Sequence, residues 1–164
     1  MFYSFCFEKV FKQSFSAIPC GVAHEAGDRY YTTVWIYIVD FEQKKESIQI
    51  SPKTQIGYGL FIGHAGPIIV SPYTKIGNNV NLSQFTSIGT NHKKGATIGD
   101  NTYVGPNVCI VEDVVIGCNV TIGAGSVVTK NIPNNATACG NYAKVINYNN
   151  LGRYTMNNRW TDFD

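Results

Sequence analysis

The stretch IGDNTYVGPNVCIVEDVVIGCNVTIGAGSVV, residues 98–128, places an aliphatic residue at every sixth position: Ile98, Val104, Ile110, Ile116, Ile122 and Val128. Read backwards, the series continues through Ile88, Leu82, Ile76, Val70, Ile62, Ile56 and Ile50. Eight of these thirteen residues are followed directly by Gly, and nine have Ser, Thr or Val four places on. Self-similarity of this strictness decides a fold ahead of local propensity. Each unit is a short strand plus a turn. Three units make one triangular coil, and coils stack at the spacing of paired strands, roughly 4.8 Å. The aliphatic residue points inward, where burial stabilises the stack by roughly 1.5–3 kcal/mol per residue. Gly is expected to relieve the backbone at each corner. Thirteen units make a little over four coils.

The repeat is broken twice. The step from Ile62 to Val70 takes eight residues, and the step from Ile88 to Ile98 takes ten. The preference four places on also fails in both units, at Gly66 and His92. A solenoid tolerates insertions as surface loops, and such loops often carry function. Two of the three histidines, His64 and His92, lie at these breaks. Function is therefore expected there.

The bulk properties fit one domain of 164 residues. A formal net charge of +2 is too small to point to nucleic acid. Five cysteines without metal-type spacing read as free thiols in a reducing compartment. No basic n-region or cleavage-like site marks a signal peptide, and the longest apolar run, near Val34–Val39, is too short to span a bilayer. A cytoplasmic location is expected.

Three pieces follow. Residues 1–48 lack the repeat. Phe7, Phe11 and Phe15 recur every fourth place, so a partly helical segment capping the coil is expected. Residues 49–146 form the coil domain, with a terminal strand and turn after Pro133. From Asn147 the chain is rich in Asn and Tyr without a period, and a tail ordered against a neighbour is expected over 147–164.

His64 stands in Gly63-His64-Ala65-Gly66-Pro67, two places after an inward residue and so outside the coil. The small residues around it leave room for a substrate. A neutral imidazole suits the removal of a proton from a hydroxyl at neutral pH. The bland alternative is a surface histidine without a role. His92 stands in Thr90-Asn91-His92-Lys93-Lys94-Gly95. It can bind substrate, meet phosphates together with Lys93 and Lys94, or sit on a solvated loop tip. No metal site is expected, since a zinc site needs about three converging ligands.

Counting three units per coil puts Ile62 in one column with Leu82, Val104 and Ile122. Ile88 falls in another, with Ile50, Val70, Ile110 and Val128. The two breaks thus lie at different corners of the triangle, and one protomer cannot close both around one substrate. A cyclic trimer with sites at its interfaces is expected.

The segment Gln55-Ile56-Gly57-Tyr58-Gly59-Leu60-Phe61-Ile62-Gly63-His64-Ala65-Gly66 resembles the serine acetyltransferases and their polysaccharide O-acetyltransferase relatives. So do residues 81–89, residues 122–128 and the end at Gly140-Asn141-Tyr142-Ala143-Lys144-Val145-Ile146. The resemblance implies a left-handed parallel β-helix, acetyl-CoA as acyl donor, and a homotrimer or dimer of trimers. It implies His64 as the catalytic base on the acceptor hydroxyl, with backbone N–H groups stabilising the oxyanion. It places substrate contacts on Gly63, Gln84 and His92, and the cofactor near Gly89, Gly105, Ala124, Gly125 and Lys130.

The chain departs from that family at informative places. An Asp that orients the catalytic His is replaced by Gln49, and an Asp directly before that His is replaced by Gly63. The second loop is shorter and lacks the Arg-His pair, with only Lys94 and Gly95 matching it. A buried ammonium without a carboxylate is poorly satisfied. A small-molecule or glycan acceptor is therefore expected, with a sugar hydroxyl weighed beside L-serine. The family's tail ends in Ile to dock on cysteine synthase; this chain ends at Asp164, and no such docking is expected. A sugar N-acyltransferase and a non-catalytic trimeric assembly module remain as alternatives.

Overall fold

The computed structural model describes residues 47–152 and 154–155. The expected N-terminal helix and the caps in residues 1–46 lie outside the described residues. The first coil is built from β1 (Ile48–Ile50), β2 (Gln55–Ile56) and β3 (Phe61–Ile62). The second holds β4 (Ile68–Val70), β5 (Lys75–Ile76) and β6 (Asn81–Leu82), and the third β7 (Ser87–Ile88), β8 (Thr97–Ile98) and β9 (Tyr103–Val104). The fourth holds β10 (Cys109–Ile110), β11 (Val115–Ile116) and β12 (Thr121–Ile122). The fifth holds β13 (Val127–Val128) and β14 (Thr137–Cys139), before β15 (Lys144–Asn147) closes the stack.

Three parallel sheets result. The first face is β1-β4-β7-β10-β13, the second β2-β5-β8-β11, and the third β3-β6-β9-β12-β14, to which β15 adds antiparallel. This is a parallel β-helix. The inward residues stack in three columns. Ile50, Val70, Ile88, Ile110 and Val128 are in register on the first face. Ile62, Leu82, Val104, Ile122 and Ala138 are in register on the third. The columns expected from the six-residue count are those observed. On the second face, Ile56, Ile76, Ile98 and Ile116 stack, and Ile132 continues the column by a bridge to Ile116. The coil thus runs past Val128, because Ile132 takes the next inward place after a step of four, and Ala138 the one after it.

Outside the two breaks, where Gly66 and His92 are not buried, the residue four places after each inward aliphatic from Ile50 to Val128 is buried too, at the corner. Thr54, Thr74, Val80, Thr86, Thr102, Val108, Val114, Val120 and Ser126 are all buried. Thr and Val have nearly the same shape, and most of the hydroxyls find a carbonyl: Thr86 Oγ1 donates to Ser83 O (2.7 Å) and Ser126 Oγ to Gly123 O (2.6 Å), while Thr74 Oγ1 has no partner.

The expected reason for the recurring Gly is corrected. The glycines directly after the inward residues are not the ones that need positive φ. A Cβ on Gly99 would lie 2.6 Å from the carbonyl carbon of Gly117, and one on Gly105 2.8 Å from Ile122 O. Those glycines are demanded by the next coil's close approach. The left-handed backbone falls two residues later, at Gly59, Asn79, Phe85, Asn101, Asn107, Asp113, Asn119, Gly125 and Asn135. Asn and Asp tolerate that region because the short polar side chain bonds locally. Here the side chains also bond between coils: Asn101 Nδ2 donates to Asn119 Oδ1 (3.1 Å), and Asn119 Nδ2 to Asn135 Oδ1 (3.0 Å).

Past β15, the first part of the tail packs on its own coil. Asn81 Nδ2 donates to Tyr154 O (2.9 Å), the rings of Tyr103 and Tyr154 lie 5.0 Å apart, and Thr155 is fully buried. No helix among the described residues is long and apolar enough to cross a membrane.

Candidate active site

The first break is the turn from β3 to β4, at the corner between the third and first faces. His64 is exposed there. Gly66 has φ +145°, and a Cβ on it would sit 2.9 Å from Gln84 Cβ. The turn is tied to the coil beneath it, where Phe85 N–H donates to Pro67 O (2.7 Å) and Asn107 N–H to Gln84 O (3.0 Å). His64 and Gln84 therefore share one corner, as do Gly63, Ala124 and Gly125. Two features stand out. Gln84 Oε1 is buried without a hydrogen-bond partner. Phe85 is 56% exposed at φ 61°, a conformation that its sister positions give to Asn, Asp or Gly.

This corner has almost no charge. The described carboxylates are Asp100, Glu112 and Asp113. Asp100 Oδ1 accepts from Asn78 N–H (2.7 Å) at the corner between the second and third faces. The other two belong to the second break. Among the described residues the ring of His64 makes no side-chain hydrogen bond or ion pair. Gln49 is exposed on β1 beside Ile69. It lines a depression of about 720 Å³ formed by residues 47–52 and 69–72, which contains none of the expected site residues.

The second break is the turn from β7 to β8, at the corner between the first and second faces. Here the structure adds a residue that the sequence reading missed. Glu112 Oε2 accepts from Asn91 N–H (2.6 Å), His92 N–H (2.9 Å) and Thr90 Oγ1 (3.2 Å), while Oε1 lies 3.0 Å from His92 Nδ1. Thr90 Oγ1 also lies 3.0 Å from Lys94 O. The backbone N–H of Asn91 is the first cause, and the His92 side chain the second, that pull the Glu112 carboxyl down from 4.5 to about 2. The signal for Glu112 was available by register arithmetic. Ile88 pairs with Ile110, so the residue two places past one stacks on the residue two places past the other. Lys94 and Asp113 pair at 3.5 Å, both well exposed. Lys53, Lys93, Lys94 and Lys130 all follow strands of the first face, so this corner gathers cations while the His64 corner has none.

The remaining expected residues divide between the two corners. Gly89 follows β7 and Lys130 follows β13, both beside the second break. Gly89 and Gly125 have open space where a side chain would stand. Gly105 is buried, and its missing side chain serves coil stacking. Among the described residues no three His, Cys, Asp or Glu side chains converge as a metal site.

Residues 95–130 match the bacterial transferase hexapeptide (six repeats) family. The chain is 30% identical over 129 residues to serine acetyltransferase 3, mitochondrial, of Arabidopsis thaliana, covering 76% of this chain and 33% of that protein. It is 35% identical over 103 residues to a serine acetyltransferase of Helicobacter pylori, covering 60% of each. Among solved structures, soybean serine acetyltransferase complexed with serine superposes with a TM-score of 0.68 at 25% identity, covering 88% of this chain and 58% of that one. Coil and repeat together define a hexapeptide-repeat protein. Within that class the chain is serine acetyltransferase-like, and it spans a third to three-fifths of the length of the curated relatives it matches.

Proposed function

We propose that the protein is an acetyl-CoA-dependent O-acetyltransferase in which His64 takes the proton from an acceptor hydroxyl. The observation that carries this reading is His64 itself. It is an exposed and uncommitted imidazole at a break in an otherwise regular coil, flanked by Gly63, Ala65 and Gly66. Beside it, Gln84 offers a buried acceptor that a second substrate N–H or O–H would satisfy. Acetyl-CoA supplies an acetyl thioester, the electrophile that the hydroxyl attacks. Gly89, Ala124 and Gly125 would let it lie close to the backbone, and Lys130 with Lys93 and Lys94 would meet its phosphates. His64 would hold the acceptor's proton on a ring nitrogen as the new ester forms and the thioester C–S bond breaks, and would then give that proton to the departing CoA thiolate.

The two halves of this site stand at different corners, so a complete site needs a neighbour. A homotrimer, or a dimer of trimers, brings the His64 corner of one protomer against the His92 corner of the next.

The acceptor is a hydroxyl of L-serine or of a sugar. The names of the relatives favour serine. The uncharged His64 corner favours a sugar, because an ammonium brought there loses water and gains no opposite charge within the protomer.

CoA release by His64→Ala tests the assignment. General-base removal typically costs about 10²–10⁴ in rate. Turnover should fall in that range with the melting temperature nearly unchanged, since His64 lies outside the core. Activity within about threefold of wild type removes His64 from the role.

A further inference from the structure

We propose that Glu112 is the positioning residue of the second loop. By accepting from Nδ1–H of His92, it fixes the imidazole tautomer whose Nε2 presents a bare lone pair to a substrate hydroxyl. The inference rests on the reading that the site acts on a hydroxyl, and it deepens that reading by assigning the partner that sets the chemistry of His92.

A carboxylate can only accept hydrogen bonds. Its Oε1 lies 3.0 Å from His92 Nδ1, so the proton of a neutral ring belongs on Nδ1. Nε2 is then an acceptor. The side chain of His92 is 79% exposed while that of Glu112 is 27% exposed, so the pair is anchored on the coil and open at the imidazole. The other oxygen, Oε2, holds the backbone N–H groups of Asn91 and His92 and the hydroxyl of Thr90. One side chain therefore fixes the loop, the ring and the tautomer together. The charged groups nearby do not compete for the ring, as Lys94 pairs with Asp113 and Lys93 offers only donors. Among the described residues this is the one histidine with a carboxylate partner, since His64 has none. A proton-accepting Nε2 on this loop would hold a second O–H or N–H of the acceptor, and so aim the reacting hydroxyl, whose own proton goes to His64, toward the His64 corner of the adjoining protomer.

Glu112→Gln gives a sharp test. The amide oxygen of Gln can still serve the N–H groups of Asn91 and His92, so the loop holds. The amide NH₂ then faces Nδ1, can only donate to it, and drives the ring proton to Nε2. Long-range ¹H–¹⁵N spectra of the whole protein, at mildly alkaline pH, should show the Nδ1–H tautomer of His92 in wild type and the Nε2–H tautomer in Glu112→Gln. In acetyl transfer to a hydroxyl acceptor, kcat/KM for the acceptor should fall at least about tenfold in Glu112→Gln, the scale at which partners of functional histidines act. CoA affinity should stay within about twofold. An Nε2–H ring in wild type overturns the proposal without any variant. A reversed tautomer with unchanged kcat/KM overturns it as well. If wild type transfers acetyl to no hydroxyl, the acetyltransferase reading fails, while the spectra still decide whether Glu112 sets the tautomer.

Discussion

At the scale of residues, nine non-Gly positions among the described residues have a left-handed backbone; Phe85 and Lys93 are the two with large side chains, and only Phe85 stands at a regular corner of the coil. A β-carbon in that region crowds the following carbonyl at a cost of roughly 1–2 kcal/mol, which Asn, Asp and Gly partly escape. Phe85 is also 56% exposed, so little burial offsets the strain. Phe85→Asn should therefore raise unfolding stability by about 1 kcal/mol, read as a higher urea midpoint at unchanged slope. A lower midpoint would show that the ring contributes more than its strain costs. Neither this strain nor the buried Gln84 acceptor was legible in the sequence, because both arise from how one coil's corner settles on the next. The position of His64 was legible, because a break in a strict period shows without any geometry. Gly63 can be argued further. A Cβ there meets only the Phe61 ring, at 3.2 Å, and a ring edge can give way. Gly63→Asp would place a carboxylate beside His64. It should raise kcat/KM for serine relative to the best sugar acceptor by about tenfold, on the scale of one charge-assisted hydrogen bond. An unchanged ratio in side-by-side kinetics would show that the missing carboxylate does not set the acceptor.

At the scale of elements, the six-residue period read out the strands and their columns because each inward residue answers to one simple demand, burial. The glycine rule was misread because two demands sit two residues apart. Close stacking selects Gly directly after the inward residue, and left-handed backbone selects Asn, Asp or Gly two places later. Sequence alone shows both preferences without saying which is which. Glu112 escaped for another reason, since the hydrogen bonds it accepts from the inserted loop come from residues 20–22 places earlier along the chain. Its effect on stability has a defined sign. The folded carboxyl titrates at about 2, below its ordinary 4.5. The stability it contributes is present above the ordinary value and is lost as pH falls through the folded one. The difference in urea midpoint between wild type and Glu112→Gln should be constant above about pH 4.5 and should vanish as the pH approaches 2. The amide shifts of Asn91 and His92 should titrate with that lower midpoint. A midpoint near 4.5 would show the carboxyl unbound to the loop in solution.

At the scale of the molecule, the decisive fact is that the two breaks stand at different corners. The register of the three columns fixes this, because loop 63–67 leaves the third face and loop 90–95 leaves the first. One corner carries an imidazole without neighbouring charge, and the other carries the lysines, His92 and Glu112. If a site takes one corner from each of two neighbours, a defect at either corner disables it, but two different defects can be separated by mixing. His64→Ala protomers keep an intact His92 corner, and His92→Ala protomers keep an intact His64 corner. Each variant alone should be nearly inactive. After equal amounts are unfolded together and refolded, random assembly gives about a quarter of the interfaces two intact corners, and CoA release should recover to about a quarter of wild type. Sedimentation of the same samples should give trimers or a multiple of three. A site complete within one protomer predicts no recovery at any mixing ratio, since every protomer then carries its own defect. Mixed assemblies that form but stay inactive would thus place both histidines in one chain's site and remove the interface from the mechanism.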